Sequence, residues 1–153
     1  MPKWKDLLIE IDKIEKKYGS RLRNPVSDTE IINMEKNFQR KFGNIVLPES
    51  YREFLKRING LDFNGLVIYG VDEVLREGEV NEDVHGLIET NELWYENESQ
   101  KQYIFYADSD TAWYCYDLKE SVYVELDKPS GTLIQSYDSF SSMLSDALET
   151  TLS

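Results

Sequence analysis

What most restricts the fold is a change of hydrophobic period along the chain. It is helical up to Gly60, strand-like beyond Tyr103 and helical again at the end. Trp4, Leu7, Leu8, Ile11, Ile14 and Tyr18 recur at three- and four-residue spacing, which predicts a helix with one apolar face ending at Gly19. Ser27 and Glu30 have the spacing of a capping box, with Val26 and Ile31 placed as its hydrophobic staple, so a second helix starts there. Its stripe is Ile31, Met34, Phe38 and Phe42, and Gly43-Asn44 ends it. Pro48 suits the first turn of a third helix, whose stripe is Tyr51, Phe54, Leu55 and Ile58 and whose end is Asn59-Gly60.

No strand is expected before Leu66-Val67-Ile68-Tyr69. Residues 72–99 are rich in acids and poor in apolar anchors, and they read as short helical turns and exposed loops. Residues 103–107, 111–116 and 121–126 are rich in aromatic and β-branched side chains, and their short polar connections favour an antiparallel meander. Leu133-Ile134 adds a further strand, and Phe140, Met143, Leu144, Ala147, Leu148 and Leu152 lie on one side of a closing helix. The order predicts an α+β fold: a mostly antiparallel β-sheet flanked by N-terminal helices and a closing C-terminal helix. At 153 residues the chain is expected to form a single domain over residues 1–153, with a core large enough to need no disulfide.

Charge narrows the function. The chain has 17 Lys and Arg against 29 Asp and Glu, a net charge of -12. Residues 1–65 carry 13 basic and 10 acidic side chains, whereas residues 66–153 carry 4 and 19. Such a surface repels phosphate backbones, which argues against direct nucleic-acid binding and leaves a basic protein as the better partner. The plainer alternative is that the acids serve solubility. No run of about 18 apolar residues suggests a membrane span, and the start of the chain does not resemble a signal peptide, so a cytoplasmic address is expected.

Catalytic patterns are weak. His85 lies in an acidic loop with no nucleophile motif, and Cys115, between Tyr114 and Tyr116, reads as a packing residue or a half-exposed strand thiol. Asp108-Ser109-Asp110 lacks the remaining ligands and the glycine of a calcium loop and fits a turn better. There is no phosphate-binding glycine loop, CxxC or HExxH. No catalytic residue, cofactor or metal is therefore expected. Residues 91–123 hold nine aromatics, which serve either as core under helices on both faces or as anchors of a protein interface.

The segment from Val26 to Gly60 carries Ser27-Asp28, Ile31 and Glu35, then Leu47-Pro48-Glu49-Ser50-Tyr51-Arg52-Glu53-Phe54-Leu55 and Asn59-Gly60. With the strand at Leu66, the strand before Asp108 and the helix near Phe140, this pattern resembles the SUKH superfamily. Many relatives have a glycine-rich turn after the aspartate, where this chain has Asp108-Ser109-Asp110-Thr111-Ala112. The resemblance implies a non-enzymatic immunity protein that binds and neutralises a cognate polymorphic toxin, with nucleases common among such toxins. The alternative is a regulatory or scaffold module of the same fold. The motif residues Glu35, Leu47, Pro48, Tyr51, Phe54, Leu55, Asn59 and Gly60 are assigned to architecture. Local charge density and one aromatic anchor instead nominate Glu73, Glu77, Glu79, Glu82, Asp83, Glu92, Trp94, Glu96, Glu98, Asp108 and Asp110 as the surface for a basic toxin.

Overall fold

The computed structural model describes residues 3–78 and 82–153. Helix α1 (Lys3–Lys17) buries Trp4, Leu8 and Ile11 as its spacing predicts. Tyr18 departs from that stripe, being 77% exposed, because the helix ends at Lys17 and the chain turns away through Gly19 at φ 80°. Helix α2 (Asp28–Phe42) begins with the expected capping box. The Ser27 hydroxyl accepts from the Glu30 N–H at 3.2 Å, and the Glu30 carboxylate accepts from the Ser27 N–H at 2.9 Å.

Helix α3 (Glu49–Leu55) is shorter than its apolar stripe suggests, and Pro48 caps it from outside. The Leu55 carbonyl accepts from the Val26 N–H at 2.9 Å, tying the helix end to the segment before α2, yet Ile58 remains buried beyond it. The motif residues are structural. The Tyr51 hydroxyl donates to the Tyr69 carbonyl at 2.6 Å, and the Glu35 carboxylate accepts from the Leu47 N–H and from Arg52. Buried Asn59 accepts from the Val71 N–H at 2.7 Å. Gly60 has φ 75°, and a Cβ there would lie 2.7 Å from the Ile68 carbonyl oxygen, so glycine alone fits.

A strand absent from the sequence reading follows. Strand β1 (Leu61–Phe63) pairs with β2 (Leu66–Ile68) across Asn64-Gly65, whose φ values of 49° and 85° are those of a tight hairpin. Next come β3 (Tyr103–Asp108), β4 (Ala112–Asp117), β5 (Val122–Asp127) and β6 (Leu133–Tyr137), and α5 (Phe140–Leu152) closes the fold. Among the described residues six strands form one sheet in sequence order, and every neighbouring pair is antiparallel. The α+β expectation therefore holds.

Alternation in β4 separates two aromatic layers. Tyr114 and Tyr116 point toward α5, where Phe140 meets Tyr51, Tyr106 and Tyr123; α1 packs on α5, and α3 packs beside it, with Tyr51 touching Tyr106 of the sheet. Trp113 and Cys115 point the other way, and Trp113 meets Phe105 and Trp94 there. All nine aromatics of residues 91–123 are buried or half-buried, which favours their reading as core.

Candidate functional site

Between β2 and β3 the acidic segment forms one turn of 3-10 helix at Glu73–Leu75, helix α4 (Leu87–Trp94) and a second 3-10 turn at Glu98–Gln102. Helix α4 has no local side-chain cap at Gly86. Asp72 supplies one from outside: its carboxylate accepts from the Ile88 N–H at 3.0 Å and the Glu89 N–H at 2.9 Å. Gly70 and Gly86 form a β-bridge beside it, and a Cβ on Gly86 would lie 2.3 Å from an Asp72 carboxylate oxygen. The inner face of α4 buries Leu87, Ile88, Thr90 and Asn91. The β3 register slips at Tyr106, and the Asn91 amide donates to the Phe105 carbonyl at 2.9 Å and accepts from its N–H at 2.8 Å.

That anchoring turns Glu89, Glu92 and Leu93 outward, with Glu96 just past the helix end. They edge a cleft of about 620 Å³ that also takes in Val84, His85, Thr90, Trp94, Asp108 and Lys128. Trp94 is half-buried, and its indole N–H donates to the Tyr69 hydroxyl at 3.0 Å. Tyr69 in turn donates to Asp108. Burial and the adjacent Asp108 carboxylate push the Tyr69 phenol far above its ordinary range, so it acts as a fixed donor. Lys128 lies 3.3 Å from Asp108 and 5.3 Å from the Trp94 ring centroid, already neutralised by that carboxylate.

The nominated residues thus divide. Glu92, Trp94, Glu96 and Asp108 meet in the cleft, and Glu73 joins Glu92 along a neighbouring groove of about 350 Å³ beside Lys41. Glu77, Asp83 and Glu98 are exposed outside both, and Glu98 pairs with Lys101. Asp110 lines a different groove with Tyr114 and α5. Glu82 is held inside an ion network with Arg76 and accepts from the Asn24 N–H at 2.6 Å. Glu79 lies outside the described residues. The sequence reading did not nominate Glu89 or Leu93, although Glu89 lies three residues before Glu92 and four before Leu93, on one face once α4 is recognised as a helix.

The chemistry of the cleft suits recognition. Its three outward carboxylates and the 56%-exposed Leu93 fit a cationic, partly apolar surface. Among the described residues no three His, Cys, Asp or Glu side chains gather to hold a metal ion. Cys115 is buried, and burial together with Asp108 and Asp117 pushes its thiol well above the ordinary range, which keeps it un-ionised. The Asp108-Ser109-Asp110 segment is a turn, in which the Ser109 hydroxyl accepts from the Thr111 and Ala112 N–H groups.

Burial raises the Asp72 carboxyl above its ordinary value, an effect the Glu89 and Ile88 N–H groups only partly oppose. A folded value above the unfolded one gives stabilisation that is full below the unfolded value and lost as pH rises through the folded one. Asp72→Ala is expected to cost about 1–2 kcal/mol through loss of the cap. Asp72→Asn, which keeps an acceptor without the charge, should gain on the wild type as pH rises from the ordinary carboxylate value of 3.8 upward. Urea titrations across that range check both; a gap between Asn variant and wild type that does not move with pH would contradict the burial argument.

No described helix is long and apolar enough to cross a membrane. A family model described as SMI1 / KNR4 family (SUKH-1) matches residues 25–146, from the segment before the capping box into α5. No curated protein matches the chain.

Proposed function

The chain belongs to the SMI1 / KNR4 family (SUKH-1), and from that membership we propose that it is an immunity-type protein that works by binding a basic toxin and not by catalysis. The cleft on α4 carries the proposal: Glu89 and Glu92 on the helix and Glu96 just past its end face solvent together, while the helix is fixed from behind by Asp72 and Asn91. Carboxylates on a rigid element steer a cationic partner into register without the cost of ordering a loop. A nuclease toxin fits this chemistry, because a face that attracts phosphate is basic and the acidic cleft would cover it.

Co-expression with the product of an adjacent toxin gene and co-purification tests the partner. The site is tested by Glu89→Lys, Glu92→Lys and Glu96→Lys combined. This variant should slow association by about tenfold or more at low ionic strength. The gap should narrow as salt screens the field over roughly 8–10 Å. Its thermal stability should change little, since Glu92 gives up only an exposed pair with Lys41. Association kinetics indifferent to the three reversals would place the interface elsewhere on the molecule.

A further inference from the structure

The two edges of the sheet are built differently. β1 has 3 residues and points the exposed Asp62 outward, a common protection against unwanted pairing. β6 carries no charged residue, and its Leu133 and Ile134 are 59% and 49% exposed. A register shift leaves Ile134 without a partner on β5, but Gln135, Ser136 and Tyr137 pair regularly with Glu125, Val124 and Tyr123. β6 ends the strand order, and among the described residues its backbone makes no hydrogen bond outside the ladder with β5. Alternate N–H and C=O groups therefore face outward as an open template.

We propose that β6 is a strand-addition site for an extended segment of the partner protein, with lysine or arginine flanking an apolar, β-forming stretch. The inference rests on the reading above that the partner is basic. Charge selects this occupant. Glu125 and Asp146 share the donors Gln135 and Tyr137 along the strand, and Asp127 and Asp138 stand at its two ends. A second copy of this chain would bring those same carboxylates against one another. A strand of 5 residues paired with itself also offers only part of the ~1,000 Å² that a lasting dimer needs. The edge adjoins the docking region as well: Lys128 lines the cleft on α4, and Pro129, Ser130 and Gly131 line a groove of about 270 Å³ just before β6.

The test is a titration of the 15N-labelled full chain, followed by amide shifts and exchange, with three synthetic peptides of about six residues, a typical strand length. One alternates valine and threonine between terminal lysines. The second is the same peptide N-methylated along one edge, and the third has terminal glutamates. The lysine peptide should shift and protect amides within residues 133–137, and N-methylation should weaken it by about tenfold or more, since several backbone hydrogen bonds are lost together. The paired change Leu133→Lys and Ile134→Lys, at exposed positions, should weaken it similarly with the melting temperature unchanged. Equal binding of the N-methylated peptide, perturbations confined to α4, no binding at millimolar peptide, or concentration-dependent dimerisation through β6 would each overturn strand addition. Equal binding of the glutamate peptide would instead overturn the basic chemistry of the partner and leave the open edge standing.

Discussion

Phe54→Ala is expected to remove about 3–5 kcal/mol of folding free energy, the usual cost of truncating a buried aromatic ring. Phe54 is fully buried on α3, and its ring meets Trp4 of α1 edge-on with centroids 6.0 Å apart. The contact joins α1, which lies before the matched family region, to the helix that carries the most specific part of the motif. Truncation therefore opens a cavity and also loosens α1, which packs on α5. Urea unfolding at constant slope reads the loss directly. A loss below about 1 kcal/mol would mean that the inner face of α3 has been misassigned.

Arg76→Met should be as damaging for a different reason. The Arg76 side chain is 7% exposed; its guanidinium lies 2.7 Å from Glu30 and 3.6 Å from Glu82 and donates to the Pro25 carbonyl. Glu30 also accepts from the Ser27 and Glu77 N–H groups. Removing the cation leaves two carboxylates with little solvent and no counter-charge, a loss of about 3–5 kcal/mol. Burial would raise the Glu30 carboxyl, but the Ser27 and Glu77 N–H groups and Arg76 together hold it below its ordinary value. A lowered folded value gives stability that is present above the unfolded value and lost as pH falls through the folded one. The cost of Arg76→Met should thus be greatest near neutral pH and shrink in acid. Adding Glu30→Gln and Glu82→Gln should restore part of it. An Arg76→Met variant as stable as the wild type at neutral pH would dissolve the network as a structural element.

This network shows where sequence reasoning stops. Glu82 looks like one more surface acid in a run of acids, and only the folded chain brings it to Arg76 and the backbone of Asn24. Helix α4 is legible only as one of several short helical turns, for a related reason: its cap, Asp72, lies far upstream, and its buried Asn91 breaks the apolar stripe while serving the slipped register of β3. β1 did leave a signal, the Asn64-Gly65 pair between Phe63 and Leu66, but a strand of 3 residues is too short to show alternation. By contrast, the capping box and the aromatic strands record their structure locally and lie close to where the sequence places them, whereas Asn59-Gly60, expected to end α3, lies beyond a helix that stops at Leu55. The acidic surface was legible as composition and not as geometry, because which carboxylates share a face depends on α4.

The sequential strand order also bears on how quickly the molecule assembles. Four of the five strand pairings join neighbours across a short turn, and only β2 to β3 spans the segment that holds α4. Loop closure costs little for near neighbours, so hairpins zip rapidly and most of the sheet forms from local contacts. The acidic helix takes its place only when Asp72, Gly70 and Phe105 have been gathered from either side of that long closure. In the native ensemble the same region is expected to open at lower cost than the meander beneath it. Hydrogen exchange should therefore find the amides of α4 less protected than those of β4, so that the acidic helix rests on a slower-opening floor.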